Sequence, residues 1–105
     1  MHWVTVDVEA LLTMLPGEES GWTNPVTSGL RPNHNFLGPG NSEMCMGQIM
    51  VAQGAGIAPG EQGIVRIRFV VLPEYAAMLK PGFRWRLQAA SQHFANAEVL
   101  AIHGA

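Results

Sequence analysis

Arg66 and Arg68 stand two apart in one stretch, and Arg84 and Arg86 two apart in a later one, so these pairs hold four of the chain's six Lys and Arg residues. Guanidinium groups bind carboxylates and phosphates through forked N–H donors, and a strand puts residues i and i+2 on one face. If the two stretches are neighbours, the four side chains form a basic patch for an anion, an acidic protein or RNA. Taken singly, each is a solvated strand residue whose stem covers apolar surface. His2, His34, His93 and His103 lie far apart without the spacing of a zinc motif, and Cys45 is the only cysteine, so neither a metal site nor an internal disulfide is expected. Ser42, His93 and Asp7 could be drawn together as a nucleophilic trio, yet no Gly-x-Ser-x-Gly context presents a nucleophile. No Gly-x-x-x-x-Gly-Lys-Ser/Thr tract is present for a nucleotide, and no helical pattern follows the Gly54–Gly60 loop to help it cradle phosphate. The chain is read as a non-enzyme with no cofactor.

The elements that must position these residues repeat with period two. Val4, Val6, Val8 and Ala10 alternate with Thr5, Asp7 and Glu9, which predicts a strand running to about Leu15 and turned by Pro16-Gly17. Glu18 to Asn35 reads as a long ordered excursion returning to a strand near Phe36. Met44 to Val51 reads as an apolar strand, buried on both sides or facing a partner, with Met44, Met46 and Met50 expected in the core rather than on a partner surface. Val65, Ile67, Phe69 and Val71 alternate around Arg66 and Arg68, and Phe83, Trp85 and Leu87 around Arg84 and Arg86. Between them, Glu74 to Leu79 is the one predicted helix. Phe94 to Ile102 is a last strand whose inward face the pattern does not assign. Six or so strands without repeat or linker predict an all-β fold, a single antiparallel barrel over residues 1–105.

Hydrophobic residues make up 48% of the 105 and charged residues 13%, about half the ~25% of an average domain. That composition excludes wholesale disorder and leaves a surface with few charges for a protein partner, or a second copy, to cover. The net charge of -2 supplies no global field for nucleic acid. No run of about 18 apolar residues marks a membrane span, and the first residues lack a signal peptide's basic and apolar regions. The expectation is cytoplasmic.

The tract Glu19-Ser20-Gly21-Trp22-Thr23-Asn24-Pro25-Val26-Thr27-Ser28-Gly29-Leu30-Arg31-Pro32 resembles the Glu-Gly-Gly-Arg-His-Thr-Pro-x-x-x-Gly-Tyr-Arg-Pro tract in the third domain of elongation factor Tu. Glu19, Gly21, Pro25, Gly29, Arg31 and Pro32 coincide without a gap. Gly47-x-Ile49, Pro59-Gly60-Glu61 and Pro81-Gly82-Phe83-Arg84-Trp85 are similar to later motifs of that domain, in the same order. The resemblance implies a closed six-stranded Greek-key barrel of the translation-factor type. It also implies that Gly21, Pro25, Gly29, Arg31 and Pro32 shape the loop; Arg31, flanked by Gly29 and Pro32, reads as a structural arginine binding loop carbonyls rather than a substrate ligand. That domain helps bind the T arm of aminoacyl-tRNA and packs against a GTPase domain; whether a separate GTPase subunit partners this chain the sequence leaves open. Here Trp22-Thr23 replace its Arg-His, and Gln88-Ala89-Ala90-Ser91-Gln92 replace its Arg-Glu-Gly-Gly-Arg, which weakens the phosphate attraction on which RNA binding rests.

The resulting expectation is a non-enzymatic binding or adaptor module that contacts a protein, with Trp22 as a partner anchor or a local clamp. The alternative is a translation-linked RNA-binding accessory domain acting through the arginines.

Overall fold

Alternating β-branched residues start the barrel. In β1 (Val4–Met14), Val6, Val8, Ala10, Leu12 and Met14 are buried, while the residues between them keep solvent contact. The computed structural model describes residues 2–52, 54 and 56–104; Met1 of the N-terminal run and Ala55 of the 54–60 loop lie outside them. After β1 come α1 (Gly17–Ser20), β2 (Asn33–Asn35), β3 (Cys45–Val51), β4 (Gln62–Val71), α2 (Pro73–Ala76), β5 (Arg84–Ala89) and β6 (Gln92–Gly104). The strands close an antiparallel barrel in the order β1-β4-β3-β2-β5-β6. β2, β3 and β4 lie side by side and β1 returns beside β4, which is Greek-key connectivity.

Three local expectations change. The four-residue α1 was not expected; it stops where Gly21 takes a left-handed φ of 74°, a conformation glycine adopts without steric cost. The strand expected near Phe36 is the three-residue β2 just before it, and α2 covers only Pro73–Ala76 of the helical region. On β6, both Phe94 and Ala95 are buried, because the β5–β6 register shifts between Leu87 and Gln88. One extra residue reverses the inside-outside parity of everything beyond it, which is why alternation alone left this strand unassigned.

The core is filled by Leu12, Ile49, Ile67, Phe69, Leu87 and Phe94, each fully buried. Phe36, Phe83 and Trp85 extend it with edge-on and stacked rings. Fully buried beside them is His34, whose two ring nitrogens are both paired. The Trp85 indole N–H donates to Nδ1 at 3.0 Å, and Nε2 lies 3.0 Å from the Gly47 carbonyl. Nδ1 must therefore be the acceptor and Nε2 the protonated donor. One neutral ring joins β2 to β3 and to β5. Next to it, Asn35 donates to Gln88 Oε1 at 2.7 Å across the β2–β5 seam. Gly47 leaves room for the ring: a Cβ there would stand 2.8 Å from Phe69 Cδ1 and 3.0 Å from His34 Nε2.

Burial holds the His34 pKa down at about 4, against an ordinary 6.5. As pH falls through that window the unfolded chain takes the proton and the folded one refuses it, so stability is full above 6.5 and drains away towards 4. The difference amounts to about 3 kcal/mol. Urea unfolding at pH 7 and at pH 4.5 should show it, and His34→Gln should abolish most of the slope across this window. Gly47→Ala should destabilise by about 1–3 kcal/mol at neutral pH through overpacking, read as a lower urea midpoint with an unchanged m-value.

Candidate functional site

β4 and β5 are three places apart around a ring of six strands. Arg66 and Arg68 therefore face away from Arg84 and Arg86, and the condition for a single four-arginine patch is not met. The chain could not reveal this, because the order of strands is set by long-range pairing. Two of the four arginines are also engaged. Arg68 meets Asp7 through two hydrogen bonds of 2.8 and 3.0 Å, and that paired, hydrogen-bonded geometry holds the Asp7 carboxyl below its usual range. Arg84 donates to Glu98 at 2.9 Å. These two are the ion pairs among the described residues. Arg66 lies opposite Glu9 on one side and Met50 on the other.

The face around Arg66 and Arg68 has an unusual composition. In β3, Cys45, Gly47 and Ile49 turn inward, which sends Met46, Gln48 and Met50 outward. Met46 is 70% exposed and Met50 49%, so the expectation that Met44, Met46 and Met50 lie in the core is corrected at Met46 and Met50: the strand has only one buried side, and the pattern hid it because methionine is apolar on the wet side. Register places Met46 beside Val70, Gln48 beside Arg68 and Met50 beside Arg66. On the other side of β4, Thr5, Asp7, Glu9 and Leu11 face Val70, Arg68, Arg66 and Ile64. Val70 and Ile64 are exposed, as is Trp3. A shallow groove of about 530 Å³ on this wall is lined by Arg31, Met44, Met46, Gln48, Arg68 and Val70 among others. Thus Arg31, which the loop was expected to use for its carbonyls, is exposed and makes no side-chain hydrogen bond among the described residues; it joins Arg68 on this groove instead.

The rest of the loop is held by other means. Val26 and Ile57 exchange backbone bonds of 2.8 and 2.9 Å, and Gly29 donates to the Ile49 carbonyl at 2.7 Å. Gln92 Nε2 donates to the Ser20 carbonyl at 2.6 Å, tying α1 to β6. Trp22 is half-buried and stacks on Phe94, with ring centroids 4.4 Å apart and an interplanar angle of 17°. That stack is the contact a local clamp requires. Gly21, Pro25 and Pro32 lie in the same segment and line no part of the Arg66–Arg68 face except Pro32, which borders the groove.

The Cys45 thiol is buried, and its pKa is pushed up to about 11 by that burial and by Glu43. Asp7 is bonded to Arg68 and His93 to Asn96 Oδ1 at 2.8 Å, so the Ser42, His93 and Asp7 trio shares no hydrogen bond. Among the described residues no three His, Cys, Asp or Glu side chains gather as metal ligands, and no helix is long and apolar enough to cross a membrane. No protein-family model matches the chain, and no curated protein matches it in sequence.

The Trp22 indole N–H is buried with no partner, which sets up a sharp test of the clamp. Trp22→Phe keeps the stack and removes an unpaired donor, so it should cost less than about 1 kcal/mol, whereas Trp22→Ala should cost about 3 kcal/mol. Thermal or urea unfolding of the two variants separates these outcomes.

Proposed function

We propose that the chain is a non-enzymatic binding module whose β1–β4–β3 wall docks a protein partner. The observation that carries this reading is the exposed set Met46, Met50, Ile64 and Val70 interleaved with Arg66 and Arg68 on one continuous wall. Interface centres are enriched in methionine and arginine and poor in lysine, and this wall has that composition. Methionine also adapts its shape to whatever it meets. The ion pair of Arg68 with Asp7 lowers the wall's positive charge, which favours a protein over a polyanion. Descent from the third domain of a translation elongation factor belongs to the same proposal, supported by the ordered motifs from Glu19 to Trp85 and consistent with a closed six-stranded barrel.

Affinity capture with the immobilised chain tests it. One specific protein should be retained by the native sequence, and Met46→Asp or Val70→Asp should weaken its binding by at least about tenfold, since losing an apolar anchor costs on the order of 1.4 kcal/mol or more. Ser91→Asp in the β5–β6 hairpin should leave it unchanged. Recovery of tRNA instead, with affinity falling steeply in salt and lost in Arg66→Ala and Arg68→Ala, would replace this reading with the RNA one. Sedimentation at two concentrations reports a second copy of the chain as the occupant.

A further inference from the structure

The opposite wall carries a different arrangement. Across β1, β6 and β5, register sets Thr13 beside Asn96 and Asn96 beside Arg86; the next row is Leu11, Glu98 and Arg84. These six residues line a concavity of about 470 Å³. Its hydrogen-bonding groups sort by sign. Among the described residues Glu98 is the only carboxylate lining it, and Arg84 already neutralises that group at 2.9 Å. Arg86 has no acidic partner among the described residues, and its Nε is buried with nothing to donate to. His93 Nε2 lies 2.8 Å from Asn96 Oδ1; two acceptors cannot share that distance, so the imidazole donates and the amide oxygen is occupied. The Asn96 NH₂ remains free to donate. The Thr13 hydroxyl completes a row of donors around one unmatched positive charge.

We infer that this concavity is a binding site for an oxyanion, either a phosphate monoester or a carboxylate, with Arg86 as the principal ligand and Asn96 and Thr13 as supporting donors. A guanidinium with a buried, unpaired N–H costs free energy until an acceptor reaches it, and an anionic acceptor makes the stronger, charge-assisted bond. Planar forked donors suit phosphate and carboxylate oxygens better than they suit a spherical halide. The site shares neither Arg66 nor Arg68 with the proposed docking wall, so either can fail without the other.

Proton–nitrogen correlation NMR tests the inference. Sodium phosphate or sodium acetate is titrated against sodium chloride at constant ionic strength, and the Arg86 Nε–H and the backbone amides of Arg86 and Asn96 are followed. Saturable shifts are expected with at least one oxyanion. Arg86→Gln should weaken that binding about tenfold or more, while Lys80→Gln, with the same change in net charge, should leave it intact; peak dispersion shows that both variants are folded. Saturation by phosphate alone identifies a phosphate ester as the natural group, and saturation by acetate alone identifies a carboxylate. Linear shifts with both anions, the same response to chloride, or undiminished binding in Arg86→Gln would overturn the proposal.

Discussion

His34 is the bolt of the barrel. The strand that carries it, β2, is three residues long, too short for its ladder alone to hold β3 and β5 together. An imidazole buried without partners would be costly, and this one repays its burial by bonding Gly47 on one neighbour and the Trp85 indole on the other. Those bonds require a neutral ring with its proton on Nε2, so fold and protonation state are set together. The absence of a side chain at Gly47 lets the ring sit against Phe69. Asn35 and Gln88 repeat the device one residue along. Side chains thus add to the short backbone ladder of the shortest strand.

How far the sequence revealed this depends on the element. β1, β4 and β5 each bury one face, and their apolar residues alternate openly enough to be read. β3 alternates too, but Gly47 inside and Met46 and Met50 outside invert the usual hydropathy contrast. β2 reads as loop because Asn33, His34 and Asn35 are polar, and the partners of the buried His34 ring lie 13 and 51 residues away. α1 is too short to show any period. The candidate site was less legible still. Arginine pairs two apart announced two outward faces, yet only strand order says whether those faces meet, and strand order lives in contacts between distant segments. The groove at Arg31 and the donor row at Thr13, Asn96 and Arg86 had no local signal, since each is assembled from separate strands.

Charge on this surface is managed in small neighbourhoods. With 6 basic and 8 acidic residues, no region develops a strong field, and Arg68 and Arg84 are each matched by a carboxylate on an adjoining strand. Such exposed pairs add little to stability. Their larger effect is on the arginines outside an ion pair: Arg66, between Glu9 and Met50, and Arg86, beside Asn96, become the distinctive features of their walls.

β1 stands between those walls. It pairs with β4 from Val4 to Thr13, and its far end, Leu11 and Thr13, also lines the β5–β6 concavity. Because β4 and β5 occupy opposite positions in the ring, a body resting against one leaves the other open to solvent. Were both proposed sites filled, the closed barrel between β4 and β5 would set the distance between their occupants.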